Sequence, residues 1–222
     1  SAAVAHDISN PLGAITQAAA LLYEDLQEPG QRKLTEMVQH NAQRLARIVD
    51  DVLDVSRARQ QRVLPLDEQL VLDGTVRTLA EEWVRQTQRQ GVLVQLDSAG
   101  RAVRFDAEHL RRILVNLLDN AARYAGDREG SIQVATREGP NGRPVLQVWS
   151  DGAPLEAAVQ RHLFEPFFSS ESRSSGLGLF ICRELCERHG ASIGYERRPL
   201  TANGPEGNEF YVVFAPAERR IS

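Results

Sequence analysis

Near the start of the chain, the stretch His6-Asp7-Ile8-Ser9-Asn10-Pro11 gathers an imidazole, a carboxylate and an amide. An accessible imidazole is a nucleophile, and the chemistry it suggests here is uptake of a phosphoryl group. Residues four apart share a helix face, so Asn10 lies beside His6, whereas Asp7 is rotated away by about a quarter turn. Pro11 has no N–H, which leaves the Asp7 carbonyl without its helical partner and predicts a bend. On its own a His-Asp dipeptide is common, and a solvated histidine near a frayed terminus explains it equally well. What gives it weight is the order of the motifs that follow.

On the segment from Leu110 to Tyr124, Asn116 and Asn120 are four apart and share one face of an otherwise apolar helix. Buried amides need partners. Oxygen-preferring, partly hydrated Mg²⁺ holding triphosphate oxygens would supply one, and core hydrogen bonds or helix capping would supply another. Next, Trp149-Ser150-Asp151-Gly152-Ala153-Pro154 leaves a strand into a turn. A carboxylate there can accept from the amino group of adenine, and Gly152 lets backbone approach the base, although Asp-Gly is also an everyday turn. Then Ser174-Ser175-Gly176-Leu177-Gly178-Leu179 opens a helix. Free N–H groups at that helix start form an anion site, with Arg173 adding positive charge. Neither a P-loop nor Gly-x-Gly-x-x-Gly occurs. Between these two turns the apolar Leu163-Phe164-Glu165-Pro166-Phe167-Phe168 is expected to anchor a lid that excludes water.

Elements must hold these residues in place. Apolar residues Ile8, Leu12, Ile15, Ala19, Leu22 and Leu26 recur at helical steps, and Pro29-Gly30 punctuates them. Leu34, Val38, Asn41, Leu45, Ile48, Val52 and Val55 then trace a heptad seam, in which Asn41 either sets register or faces water. Two helices joined by a short turn form an antiparallel hairpin, and the seam predicts that two hairpins pair as a four-helix bundle. The alternative is packing on the rest of the same chain. The stretch from Arg59 to Pro65 reads as a linker.

Beyond it, the pattern predicts a helix over Leu70 to Val84 and strands at Gly91 to Leu96 and Ala102 to Phe105. A helix capped by Asp106 and Glu108 runs to about Tyr124. Strands at Ile132 to Thr136 and Val145 to Ser150 are joined by Gly139-Pro140-Asn141-Gly142. A helix from Leu177 to His189 and strands at Ala191 to Glu196 and Phe210 to Phe214 complete the pattern. Pro199 to Asn208 reads as a polar loop with no evident chemistry. The fold class is α+β: a helical hairpin, then a mixed sheet with helices on one face.

Composition sets limits. The 222 residues, 42% hydrophobic and 25% charged, suit a soluble protein with one good core and a second, smaller unit. A net charge of −4 and a pI near 5.8 do not suggest a nucleic-acid-binding surface. No apolar run reaches the roughly 18 residues of a membrane span and no signal peptide is visible, so no direct membrane contact is expected of this fragment. Cys182 and Cys186, four apart on a helix, are read as reduced structural thiols in a cytoplasmic setting.

Taken in order, the His6 hairpin, Asn116/Asn120, Asp151/Gly152, Phe164 to Phe168 and Gly176/Gly178 resemble the sensor histidine kinases of two-component signalling, with their H, N, G1, F and G2 boxes. The resemblance covers nearly the whole chain. It implies residues 1–60 as a dimerisation and histidine phosphotransfer (HisKA) domain and residues 65–218 as a catalytic ATP-binding domain of the GHKL or Bergerat type (HATPase_c). It further implies a homodimer that autophosphorylates with Mg²⁺ and ATP and passes the group to an aspartate on a response regulator receiver domain. His6 would attack through Nε2. Asp7 matches the acidic neighbour that orients the ring and accepts its proton, a contact the helical spacing does not give. Asn10 sits where dual-activity members position water for dephosphorylating the regulator. Asn120 matches the Mg²⁺ ligand and Asn116 its companion, with Arg123 and Tyr124 close to phosphate and nucleotide. Asp151 and Gly152 match the adenine turn, and Arg173, Gly176, Leu177 and Gly178 the lid beside the triphosphate.

Three departures from the family pattern stand out: Asp7 and Ser9 where Glu and Arg are commonest, Ala153-Pro154 in place of the second glycine after Asp151, and Arg173-Ser174-Ser175 for Lys-Gly-Thr. The lid residues and Cys182 to Glu187 look most like the sensor kinases that control type IV pilus genes. That resemblance allows this chain to be the cytoplasmic part of an inner-membrane sensor protein. Two other readings compete. One is a degenerate dimeric module that docks regulators without turnover, and the other is a chaperone-like or mismatch-repair-like ATPase of the same superfamily, which the phosphoacceptor hairpin speaks against.

Overall fold

A computed structural model describes residues 2–25, 28–60, 69–98, 100–168, 176–201 and 204–215, and of residues 2–11, 25, 44, 47, 50–60 and 140 the backbone course alone. The chain divides into two compact units, one of residues 1–62 with 165–178 and one of residues 63–164 with 179–222.

The first unit is the predicted hairpin, of helices α1 (Ala2–Asp25) and α2 (Pro29–Gln60). The helical course of α1 continues through Pro11. Pro29 is the first residue of α2, not part of the turn before it, a position where its missing N–H costs nothing. The Glu28 carbonyl accepts from the N–H groups of Gln31 and Arg32. Leu12, Ala19 and Ala42 are buried, and the small side chains of the two alanines let the helices approach closely. Most of the heptad seam stays open: Leu34, Val38 and Leu45 are about half exposed or more. Asn41 is also exposed, its amide donating to the Met37 carbonyl of its own helix at 2.8 Å. The linker expected from Arg59 to Pro65 is helical to Gln60, and the remainder lies outside the described residues.

In the second unit a five-stranded sheet runs in the order β2 (Val92–Asp97), β4 (Ile132–Glu138), β5 (Pro144–Ser150), β7 (Glu206–Val213), β6 (Ser192–Pro199). The β2/β4 pair is parallel and the others antiparallel. A separate two-stranded ribbon pairs β1 (Gln69–Val71) with β3 (Ala102–Arg104). The helix expected over Leu70 to Val84 therefore begins two residues later, as α3 (Leu72–Thr87), because Gln69 to Val71 pair with β3. A short helix that the sequence reading did not predict, α5 (Ala157–His162), follows the Asp151 turn.

Helix α4 (Ala107–Tyr124) is the centre of the unit. Asp106 caps it, its carboxylate accepting from the His109 N–H at 2.8 Å. Leu110, Ile113, Leu114, Leu117 and Leu118 form one helical stripe and are fully buried, each contributing roughly 1.5–3 kcal/mol of transfer free energy. Two polar ties join α3 to α4: Trp83 Nε1 donates to Asp119 at 2.8 Å and Arg111 pairs with Glu82 at 2.6 Å. Helix α6 (Gly178–Arg188) meets α4 where the Cys182 thiol faces the Ile113 carbonyl at 3.9 Å. Cys182 and Cys186 are buried thiols outside any disulfide, as expected, and burial pushes the Cys186 thiol well up.

Candidate functional site

In the first unit, His6, Asp7 and Asn10 lie in the first turns of α1, and their side chains are outside the described residues. Further along α1, an open groove is lined by Leu12, Gly13, Thr16, Gln17 and Ala20 with Gln43 and Ala46 of α2. Gly176, in the same unit, has φ +68°, and a Cβ there would lie 2.7 Å from the Phe167 carbonyl carbon. Only glycine tolerates both the left-handed backbone and that contact. Leu177 is buried, and Gly178 is the first residue of α6. Arg173 and the Ser169 to Ser172 stretch lie outside the described residues.

In the second unit, Asn116, Asn120 and Arg123 follow one another along the flank of α4 beside its buried stripe. The side chains of Asn116 and Asn120 are half-buried and make no hydrogen bond to any other described residue. Two amides left without protein partners on a half-buried face are open to a ligand that brings oxygen atoms or a hydrated cation. Arg123 is exposed and Tyr124 is 39% exposed, at the C-terminal end of the same helix.

That helix end meets the Asp151 turn. Gly126 N–H donates to Asp151 Oδ1 at 2.9 Å, and Arg128 Nε donates to Oδ2 at 2.9 Å, while the carboxylate side chain is only 9% exposed. Gly152 is buried and closely packed: a Cβ would stand 3.2 Å from Tyr124 Cβ, the Tyr124 carbonyl and Asn208 Nδ2, so a side chain there would press the turn away from α4 by a few tenths of an ångström. The structure thus brings Tyr124, Asp151 and Gly152 into one corner of the second unit. The 125–127 loop is held from behind by Arg89, which pairs with Asp127 at 2.7 Å and donates to the carbonyls of Ala125 and Gly126.

The polar loop expected from Pro199 to Asn208 is shorter than that, since β6 extends to Pro199 and β7 starts at Glu206. Asn208 is a buried strand residue directly opposite Ser150, with Arg197 opposite it on the other side. Its Nδ2 donates to the Ala153 carbonyl at 2.9 Å, and Arg197 donates to the Gly152 carbonyl at 2.8 Å. Sequence reasoning missed Arg89, Arg197 and Asn208. The available signal was the inward phase of Tyr195 and Arg197 on an alternating strand. Burial raises the Tyr195 hydroxyl above its ordinary value, against the pull of Arg197.

The chain resembles known proteins along most of its length. Residues 1–61 match the His Kinase A (phospho-acceptor) domain, and residues 105–219 match the domain described as histidine kinase-, DNA gyrase B-, and HSP90-like ATPase. The sensor protein kinase PilS of Pseudomonas aeruginosa is 37% identical over 204 residues, covering 89% of this chain and 38% of that protein. The sensor histidine kinase ZraS of Klebsiella oxytoca is 29% identical, covering 94% of this chain and 47% of that protein. The chain therefore spans less than half the length of either relative. Among solved structures, full-length ShkA in complex with AMPPNP superposes with a TM-score of 0.64 at 23% identity, over 97% of this chain and 46% of that one. The Acinetobacter baumannii histidine kinase AdeS gives 0.61 at 19% identity, over 92% and 94%. No helix among the described residues is long and apolar enough to cross a membrane. With a phospho-acceptor domain ahead of an ATPase domain of this type, the chain belongs to the sensor histidine kinases of two-component systems.

Proposed function

We propose that this chain is the catalytic core of a protein histidine kinase that uses Mg²⁺ and ATP to phosphorylate His6 and passes the phosphoryl group to an aspartate of a response regulator. The observation that carries the reading is the pair of half-buried, unpartnered amides of Asn116 and Asn120 on the helix that ends at the Asp151 turn. Residues 1–60 form the dimerisation and phosphotransfer domain and residues 65–218 the ATP-binding domain. In the transfer, the lone pair of His6 Nε2 forms a bond to the γ-phosphorus as the bond to the β,γ-bridging oxygen breaks and ADP leaves. Asp7 accepts the proton that the ring gives up. Asn120, with Asn116 beside it, would hold Mg²⁺, whose charge would neutralise the phosphate oxygens. Asp151 would accept from the amino group of adenine and Gly152 would admit the base, with Arg123 and Tyr124 close to phosphate and nucleotide, while Arg173, Gly176, Leu177 and Gly178 would belong to the lid.

Two hairpins pair through the exposed seam of Leu34, Val38 and Leu45 into a four-helix bundle, which makes the protein a homodimer. The groove between α1 and α2 below His6 suits the receiver domain. Asn10 positions a water for the reverse, dephosphorylating output. The fragment works in the cytoplasm as part of a longer, membrane-anchored sensor. Incubating the chain with labelled ATP and Mg²⁺ tests the proposal. An acid-labile, base-stable phosphoprotein is expected, lost in His6→Gln and reduced at least a hundredfold in Asn120→Ala, about 2.7 kcal/mol of transition-state stabilisation. Label that survives His6→Gln sinks the assignment.

A further inference from the structure

Asp151 opens a turn that carries Ala153-Pro154 after its single glycine, and the structure shows what holds that turn. Its first carbonyl, of Gly152, accepts from Arg197 at 2.8 Å, and its second, of Ala153, accepts from Asn208 Nδ2 at 2.9 Å. Asn208 cannot turn its amide over. Its Oδ1 already accepts from the Tyr195 hydroxyl at 2.9 Å and from Arg197 at 3.2 Å, so only the Nδ2 end is free to face Ala153. Arg197 is in turn anchored on the Glu206 carbonyl at 3.2 Å. The strand register makes this clasp possible, because Ser150, Asn208 and Arg197 stand in one row across β5, β7 and β6.

On the other side the turn presses against α4, where Gly152 adjoins Tyr124. The Asp151 N–H also donates to the Ser131 carbonyl at 3.0 Å, and the two carboxylate oxygens accept from Gly126 N–H and from Arg128 Nε, each at 2.9 Å, which fixes the plane of the carboxylate and leaves each oxygen a second lone pair. The carboxylate thus points where the clasp and the helix end jointly aim it. Hydrogen bonds to the turn carbonyls restrain where the turn sits, and a base contact depends on that alignment.

We propose that Arg197 and Asn208 are positioning residues of the nucleotide site: by holding the Gly152 and Ala153 carbonyls they aim Asp151 at the exocyclic amino group of the base and so set the preference for adenine. This rests on the reading of Asp151 as the residue that contacts the base. Both would act through the turn that they hold, by way of the Gly152 and Ala153 carbonyls.

The test compares dissociation constants, by calorimetry on the 222-residue chain, for ATP and for purine riboside triphosphate, which lacks the amino group. In the unaltered chain ATP binds more tightly. In Asn208→Leu and in Arg197→Met that preference falls on the order of tenfold, through loss of ATP affinity with the other nucleotide unchanged. Arg197→Lys, which keeps a donor for the Gly152 carbonyl, retains most of it. Melting temperature is followed alongside, and should Asn208→Leu fail to fold, the more exposed Arg197→Met decides. An unchanged preference, or equal weakening of both nucleotides, overturns the proposal and leaves the kinase reading standing. An unaltered chain that binds neither nucleotide, or both alike, overturns the reading of Asp151 and this proposal with it.

Discussion

Helices α2 and α4 both carry an apolar residue at every third or fourth position, yet they end up in opposite surroundings. On α4 the stripe Leu110, Ile113, Leu114, Leu117 and Leu118 is fully covered, whereas on α2 Leu34 remains 63% exposed and Leu45 51%. The periodicity is the same, but α4 packs on a sheet and on α3 within its own unit, whereas the described residues of α2 pack on the single helix α1 within theirs. A stripe covered by its own chain gives stability that does not depend on concentration. One that awaits a second copy gives stability that does, because association enters the equilibrium.

The largest effect should come from separating those two cases. Replacing Leu34 and Leu45 by Asp places four charges in the predicted bundle seam of a dimer and is expected to abolish association at all accessible concentrations, as read by sedimentation equilibrium. The melting of the second unit should be unchanged. A dimer that survives the double substitution would mean that the seam is not the interface. Next in size is Leu114→Ala, which opens a cavity in the closed core and is expected to cost about 2–5 kcal/mol, independent of protein concentration, in urea unfolding. Leu34→Ala in the monomer should cost less than about 0.5 kcal/mol, the usual scale for an exposed position.

The contrast also explains what could be read before the fold was known. Helix α4 was plain because its period, its Asp106 cap and its length agree. Strand β1 was not, since three residues, Gln69 to Val71, are too few to alternate, and Leu70 fits the apolar period of α3 equally well. Of the site, Asn116, Asn120, Tyr124, Asp151 and Gly152 could be named from local spacing and motif order. Arg197 and Asn208 could not, because their meeting with Gly152 and Ala153 depends on strand pairing across 45 and 55 residues of sequence. Asp7 entered by family resemblance, for a residue at i+1 on a helix does not face its neighbour.

A smaller effect belongs to the edge of the second unit, where Asp73 on α3 accepts from the Ser98 hydroxyl at 2.6 Å, from the Ser98 N–H at 3.2 Å and from Thr136 at 2.5 Å. Burial alone would raise this carboxyl, but the bonds from Ser98, Thr136 and the Gly100 backbone outweigh it and hold the group below its ordinary value. The native state therefore binds this proton less readily than the unfolded chain. Its stabilisation is present above the unfolded value, about 3.9, and is lost as pH falls through the depressed native one. Asp73→Ala, which leaves the Ser98 and Thr136 donors without their acceptor, is expected to cost about 1–3 kcal/mol at neutral pH by urea unfolding. A variant as stable as the parent at pH 7 would show that the Asp73 bonds add nothing to stability.

The smallest effect is expected at the far end of α4, and it separates from the last by pH. His109 Nδ1 and His189 Nε2 share a hydrogen bond of 2.8 Å, and the Phe105 ring lies 4.1 Å from that of His189. Burial depresses both imidazoles, with His109 and Arg188 adding to the depression of His189 and Asp106 opposing it, and His189 is pushed down to about 4. A histidine that stays neutral when native but protonates near 6.5 when unfolded makes the unfolded state the better proton acceptor. Stability from this pair is complete above about pH 6.5 and declines as pH falls towards 4, before Asp73 begins to titrate. In His189→Gln the decline should flatten, read as the urea midpoint at pH 7.5, 6.0 and 5.0 on the parent and the variant. Equal slopes in the two would place the acid sensitivity elsewhere and leave the histidine contact a packing feature.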